Sequence, residues 1–192
     1  MNWCHKVVVF VPGCLLCPAL QAGSSEKNSS WPEAFRTVWE KYPVGLMQMP
    51  CPEATFPDGL NGLGRLPHGI QYYEMLEGFR THCTRLAQQT ADHILSFQRT
   101  GYTVAVAGIE HSPTCAVSYM YTRQGTVRRA GLFLDRLMNT LAATSTDVSY
   151  IGINRSFPRK AVKALEDAIL AAGGDDLCIE KGVCDSRRYQ YG

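Results

Sequence analysis

The sequence has no long hydrophobic run and no marked excess of either charge. No stretch reaches the ~18 consecutive apolar residues that a membrane-spanning helix needs, so we expect no membrane span. The formal net charge is only +2, which is no strong signal for a general nucleic-acid surface. A local basic group, Arg123, Arg128 and Arg129, is typical of a solvated helix entrance. The composition therefore argues against an integral membrane protein and against a general nucleic-acid binder.

The sequence also lacks the paired local motifs that hold most structural metals. Structural zinc sites commonly use two Cys-x-x-Cys knuckles, whereas this chain has one close pair, Cys14 and Cys17. His82 and His93 are too far apart in sequence to form a local ligand pair. Any metal site must therefore draw its ligands from distant segments.

Cysteine, by contrast, is abundant, with 8 residues in the chain. Disulfide-dense scaffolds are usually short and loop-rich, whereas this chain has long helical patterns and continuous apolar strands. We therefore expect reduced thiols and a cytoplasmic protein, in which cysteines bind metal, take part in catalysis or pack as small hydrophobes. A signal peptide is not expected, because Lys6 is the only basic residue before the first apolar run and Pro12 interrupts that run. The cysteines are Cys4, Cys14, Cys17, Cys51, Cys83, Cys115, Cys178 and Cys184.

The hydrophobic pattern alternates between strands and helices. Apolar, β-branched runs predict strands at 5–11, 44–49, 102–109 and 148–153. Helical spacing predicts helices at 14–22, 31–42, 70–98, 130–143 and 158–172, with Cys83 on the core-facing stripe of the third. This order predicts an α/β fold, a single domain over 1–174 with a mainly parallel four-stranded sheet flanked by helices, and then a C-terminal tail at 175–192. Residues 51–67 and 117–126 are predicted to be loops, the first lining a site.

A cysteine follows each of the first three predicted strands. Cys14, Cys51 and Cys115 come after the runs that end near Val11, Met49 and Ile109. In parallel sheets ligands bind at the carboxyl ends of strands, so we expect these thiols to meet at one edge. Three converging thiolates suit a soft metal: a zinc ion, or a [4Fe-4S] cluster with one open iron. A redox or sulfur-carrier protein that uses Cys14 and Cys17 is a further alternative.

Two polar residues stand close in sequence to these cysteines. Glu53 follows Cys51 and could take or give a proton beside the bound group. Ser112 precedes Cys115 and could orient a substrate. A surface glutamate and a turn-stabilising serine are the alternatives, but their position beside strand-end cysteines favours Glu53 and Ser112 as catalytic candidates.

Three motifs together resemble those of the 2-thiouracil desulfurase family, in particular its longer, TudS-related desulfidase branch. They are Gly13-Cys14-Leu15-Leu16, Pro50-Cys51-Pro52-Glu53 and Ser112-Pro113-Thr114-Cys115. The family typically has Ser-Pro-Ser-Cys-Gly in the third motif, where this chain has Thr114 and Ala116. Threonine keeps the hydroxyl, whereas alanine cannot replace a glycine that needs a positive φ.

The resemblance implies an activity and a cofactor. It implies a [4Fe-4S] cluster held by Cys14, Cys51 and Cys115, with the unligated iron taking sulfur from a small thiolated substrate such as a thionucleobase. Glu53 would be the acid/base residue, and Ser112 would orient the substrate. The reaction would replace C=S by C=O and release sulfide. Cys17, one helical turn beyond Cys14, is the residue that could close the fourth iron.

Overall fold

The computed structural model describes residues 7–17, 20, 31–42, 44–57, 69–122 and 124–173, with only the backbone described at 31–34 and 173. Strands and helices alternate along most of this length, as the hydrophobic pattern predicts. The elements are β1 (Val7–Pro12), α1 (Gly13–Leu16), α2 (Trp31–Lys41), β2 (Gly45–Met49), α3 (Pro52–Thr55), α4 (Ile70–Met75), α5 (Phe79–Arg99), β3 (Thr103–Ile109), β4 (Tyr119–Thr122), β5 (Gly125–Arg128), α6 (Leu132–Ala142), β6 (Ser149–Ile153) and α7 (Pro158–Gly173).

The sheet has four strands in the order β2-β1-β3-β6, and every pair is parallel. Val9 of β1 lies opposite Leu46 of β2 and Ala105 of β3, so β1 is flanked on both sides. This confirms the predicted α/β fold with a parallel four-stranded sheet. The chain passes from β1 to β2 on one side and then crosses to β3 on the other. The strand order therefore reverses at β1 and β3, the place where open parallel sheets bind ligands.

Alternate residues of the central strands enter two different cores. Val8 and Phe10 belong to the core that also contains Phe79 of α5 and Phe133 of α6. The neighbouring valines of β1 belong to the core formed with α2 and α7. A strand covered on both faces needs apolar side chains at every position, which explains the unbroken β-branched run. Each large apolar side chain buried in this way contributes about 1.5–3 kcal/mol.

The predicted helix over 70–98 is wrong as a single element. The structure divides it into α4 and α5, because Leu76 is extended (ψ 122°) and Gly78 adopts a left-handed conformation (φ 76°). Tyr73 and Phe79 are both buried on either side of the break. The apolar spacing therefore continues through the interruption, which is why periodicity does not reveal it.

The prediction of a loop over 117–126 is also wrong. Tyr119–Thr122 and Gly125–Arg128 pair as an antiparallel hairpin, with Tyr121 opposite Thr126. Met120 is buried, whereas the tyrosines on either side of it are exposed. This alternation is that of a strand with one covered face, but four residues are too few to give a clear pattern. The predicted loop at 51–67 likewise begins with a helical turn, α3.

Two further expectations concern cysteines and the ends of the chain. Cys83 is 1% exposed and packs in the core, as predicted. The tail at 175–192, with Cys178 and Cys184, lies outside the described residues, as does Cys4, so the domain boundary stays a prediction. Within the described ranges, no helix has the length and apolar character required to cross a membrane.

Candidate functional site

The three strand-end cysteines lie at the same edge of the sheet. Cys14 is in α1 directly after β1, Cys51 follows β2, and Cys115 lies in the loop after β3. These strands are neighbours and parallel, so their carboxyl ends lie side by side. None of the three is in a disulfide; Cys115 is buried, and the other two keep some exposed surface. The structure therefore delivers the thiols from three strands to one region.

The three thiols affect one another electrostatically. Burial raises the pKa of the Cys14 thiol to about 12 and that of Cys51 to about 11, and Cys51 adds to the increase at Cys14. The pKa of Cys115 lies well above its ordinary value, first because of burial and then because of Cys51 and Cys14. Reactive thiols, in contrast, have a lowered pKa. Burial therefore favours the neutral form of these thiols, and a bound cation would favour their deprotonation.

Within the described ranges, no group of three or more histidine, cysteine, aspartate or glutamate side chains is arranged to hold a metal ion. The fit of a cofactor to this site therefore depends on the chemistry of its donor atoms. Three cysteine thiols that form no disulfide, each following a different strand, are a soft donor set, which suits iron–sulfur groups and zinc.

Glu53 is buried beside the thiols. Pro52, whose φ is preset, begins the turn of α3 after the extended Cys51 and places Glu53 in the first turn. Oε2 of Glu53 accepts a hydrogen bond from Tyr73 Oη (3.1 Å), and Oε1 accepts one from Thr114 Oγ1 (2.8 Å). Burial raises the pKa of the Glu53 carboxyl, although these two hydrogen bonds and the charge of Arg155 oppose part of the increase. A buried carboxyl with a raised pKa has the property expected of an acid/base group.

Ser112 stabilises the loop that carries Cys115. Its Oγ accepts hydrogen bonds from the backbone N–H groups of Cys115 (3.0 Å) and Thr114 (3.3 Å). Its Oγ also lies 3.3 Å from Thr114 Oγ1, which in turn donates to Glu53. The oxygen of Ser112 thus stabilises the turn. Its O–H also belongs to a chain of hydroxyl groups that leads through Thr114 to Glu53. Orientation of a substrate by Ser112 stays a prediction.

The same loop is held from two further directions. Ile109 N–H donates to the carbonyl oxygen of Cys115 (2.8 Å), so the loop folds back on β3. The first turn of α6 donates in the same way, from Leu132 N–H to Pro113 O (2.9 Å) and from Phe133 N–H to Thr114 O (3.0 Å). These otherwise unpaired helix N–H groups therefore fix the backbone of the two residues before Cys115.

Ala116 does not need the conformational freedom of glycine. Among the described non-glycine residues, only His111 (φ 70°) and Ser145 (φ 53°) have a positive φ. The unusual conformation in this loop is therefore at His111, where the chain leaves β3, and its ring stacks on Tyr121 with centroids 4.3 Å apart. Alanine at position 116 is consequently compatible with the loop.

Cys17 follows α1 in an extended conformation, and its N–H donates to Gly13 O (2.8 Å). A ligand set of three cysteines that leaves out Cys17 stays a prediction.

Sequence reasoning did not identify three residues of this site. Tyr73 was assigned only to the core-facing stripe of its helix, and Thr114 only as a replacement for serine, yet both bind Glu53. Arg155, just after β6, has the largest charge effect on Cys14 and also acts on Glu53. In the sequence, Arg155 stands out only as a basic residue that closely follows a predicted buried strand.

Substitution of Gly131 by alanine tests whether the Cys115 loop depends on close backbone packing. A methyl group at this position would overlap the backbone of Thr114 and Cys115, so we expect Gly131→Ala to lower the free energy of unfolding by about 1–3 kcal/mol. Denaturant unfolding of the metal-free protein measures the change.

Gly69→Ala is the matched control. Gly69 also precedes a helix with extended backbone, but its added methyl would meet only the end of the Gln71 side chain, at 3.2 Å. Equal losses in the two variants would show that the cost belongs to the helix N-cap and not to the loop.

Comparisons with known proteins were made against families, curated proteins and solved structures. No family model matches the chain, and none of the curated proteins matches it. The chain is similar to a solved structure described as a "[4Fe-4S]-dependent thiouracil desulfidase TudS", with 19% identity over 83% of this chain and 98% of the other, and a TM-score of 0.47. The three cysteine motifs resemble those of the 2-thiouracil desulfurase family.

Proposed function

We propose that this protein is an iron–sulfur-dependent desulfidase that converts the C=S group of a small thiolated compound to C=O and releases sulfide. The observation that carries the proposal is that three cysteines, none of them in a disulfide, follow three adjacent strands at one edge of the sheet, with the buried carboxyl of Glu53 in the turn after Cys51. The motif resemblance supports the same reading. The compound would be a thiouracil-like ring, and the compartment would be the cytoplasm.

Cys14, Cys51 and Cys115 would hold the cluster. Their thiols are unpaired by disulfides, and burial disfavours their charged forms until a cation is present. With three protein ligands, a [4Fe-4S] cluster would supply an open iron that acts as a Lewis acid toward sulfur. The site thus combines soft donors with a nearby proton-transfer group.

Glu53 would move the protons of the reaction. One water is consumed and one hydrogen sulfide is released, so the substrate carbon exchanges sulfur for oxygen without a change of oxidation state. Glu53 would take a proton from the attacking water at a carboxylate oxygen and return one to the departing sulfur. Its hydrogen bonds with Tyr73 and Thr114 hold the carboxyl in position, so the group would not need to reorganise during the transfer.

Ser112 and the β4–β5 hairpin would position the substrate. Ser112 would act through the hydroxyl chain that ends at Glu53. Tyr121 is 55% exposed and stacks on His111, the residue before Ser112. An exposed tyrosine ring beside this loop suits contact with a planar ring.

Replacement of the proposed ligands should remove the cluster. After anaerobic reconstitution, the wild-type protein should contain iron and acid-labile sulfide in equal amounts, and Cys14→Ala, Cys51→Ala and Cys115→Ala should each lose most of both. Removal of one thiolate leaves an iron without its protein ligand. Chemical analysis of iron, sulfide and zinc in the same samples measures the outcome.

Cys17→Ala and Cys83→Ala are the controls, and both should keep wild-type iron. Loss of iron in Cys17→Ala would show that Cys17 is a fourth ligand, which contradicts an open iron. Zinc without acid-labile sulfide would instead identify a zinc protein. A metal-free chain whose thiol count falls by two on mild oxidation would identify a redox pair.

Glu53→Gln should keep the cluster and lose turnover. The amide has nearly the same shape but cannot accept a proton, so we expect kcat to fall roughly 100-fold or more. Conversion of 2-thiouracil to uracil and released sulfide are measured together, with iron content determined in the same sample.

Glu77→Gln is the control for loss of one carboxylate, because Glu77 is exposed just before α5. Its kcat should equal that of the wild type. Full turnover by Glu53→Gln would remove Glu53 from the proton-transfer step, and loss of iron would assign it to cluster binding.

A further inference from the structure

Arg155 brings a buried, unpaired hydrogen-bond donor to the site. It lies just beyond β6, the fourth strand to end at the edge where the cysteines converge. Its Nη1 is buried and has no hydrogen-bond partner in the part of the chain that the structure describes. A buried donor without a partner is unfavourable, and more so on a charged group, so such an atom calls for an acceptor that the described residues do not supply.

Arg155 follows β6 at the same edge of the sheet as the three cysteines. Its positive charge acts on the thiol of Cys14 and on the carboxyl of Glu53, which places it within electrostatic reach of both. No carboxylate forms an ion pair with Arg155 across the described ranges. Glu53, the nearby acid, instead accepts its hydrogen bonds from Tyr73 and Thr114.

A guanidinium group with a buried N–H and no carboxylate partner among the described residues favours an anion. Arginine keeps its charge in all protein environments, and its N–H groups bind anions through charge-assisted hydrogen bonds. A negatively charged group of a ligand would supply the acceptor that this N–H lacks.

We propose that Arg155 is an anion-binding residue of the site, whose Nη1–H donates to the negatively charged sulfur of a small ligand beside Cys14 and Glu53. The identity of the ligand rests on the proposed function: the sulfur belongs either to the thiolate form of the substrate or to the hydrosulfide that is released. In both cases Arg155 would bind the negative charge on the sulfur, whereas the proposed cluster would bind the sulfur atom itself.

The test compares Arg155→Gln and Arg155→Lys with the wild type. The full chain is carried through anaerobic reconstitution, iron and acid-labile sulfide are measured, and the protein is titrated calorimetrically with hydrosulfide and, separately, with 2-thiouracil. Arg159→Gln is the control, because it removes an exposed arginine near the start of α7. The titrations are performed on the wild type whether or not it has taken up iron.

We expect Arg155→Gln to keep its iron and to bind at least one of the two probes about tenfold more weakly or worse, which corresponds to loss of one charge-assisted hydrogen bond. Arg155→Lys should fall between this variant and the wild type, because lysine keeps the charge but not the forked geometry. Arg159→Gln should match the wild type. Weakening confined to hydrosulfide identifies the product as the bound anion, and weakening confined to 2-thiouracil identifies the substrate.

Three results would overturn the inference. Unchanged dissociation constants for both probes in Arg155→Gln would show that the donor binds neither. Loss of iron in Arg155→Gln, with iron kept in Arg155→Lys, would show that Arg155 neutralises the thiolates. A wild-type protein that binds neither probe would also exclude the anion site. The proposed function fails separately, if the wild type takes up no iron and sulfide.

Discussion

The hydrogen bond from Thr114 Oγ1 to Glu53 Oε1, at 2.8 Å, joins the segment after β2 to the segment after β3. Glu53 lies in the turn that follows Cys51, and Thr114 immediately precedes Cys115. The bond therefore ties together two of the three cysteine-bearing segments across the strand between them, β1. It is buried, so breaking it would leave a polar group without a partner and cost about 1–3 kcal/mol or more. The position of the buried Glu53 carboxyl and the position of two thiols thus depend on the same contact.

Burial has opposite consequences for the packing and for the polar groups of the site. It stabilises the two cores on either side of the sheet, but it disfavours charge on the thiols and on Glu53. The protein offsets this cost at Glu53 with two hydroxyl donors. At the cysteines the comparable compensation would come from a bound cation. The charged forms of these thiols would thus become favourable only with a cation bound.

Much of the fold and part of the site could be predicted from the sequence. Unbroken apolar runs identify strands that are buried on both faces, and a cysteine directly after such a run must lie at the carboxyl edge of the sheet. Ser112 was harder to interpret, because a serine before Pro113 suits both a turn and a binding group. The structure shows its turn-stabilising bonds to Thr114 and Cys115. The break before α5 and the β4–β5 hairpin were missed, because apolar spacing continues through the first and the second is too short for a pattern.

The sequence by itself determined which segments form the four strands of the parallel sheet and which of them are followed by cysteine, because these features depend on local periodicity and on neighbours along the chain. Only the tertiary structure decided which hydroxyls reach Glu53, since Tyr73 and Thr114 are 20 and 61 positions away from it. The same holds for Arg155, which an isolated strand end does not distinguish from a surface arginine. Its significance comes from the parallel pairing of β6 with β3, which brings a fourth strand end to the edge where the thiols meet.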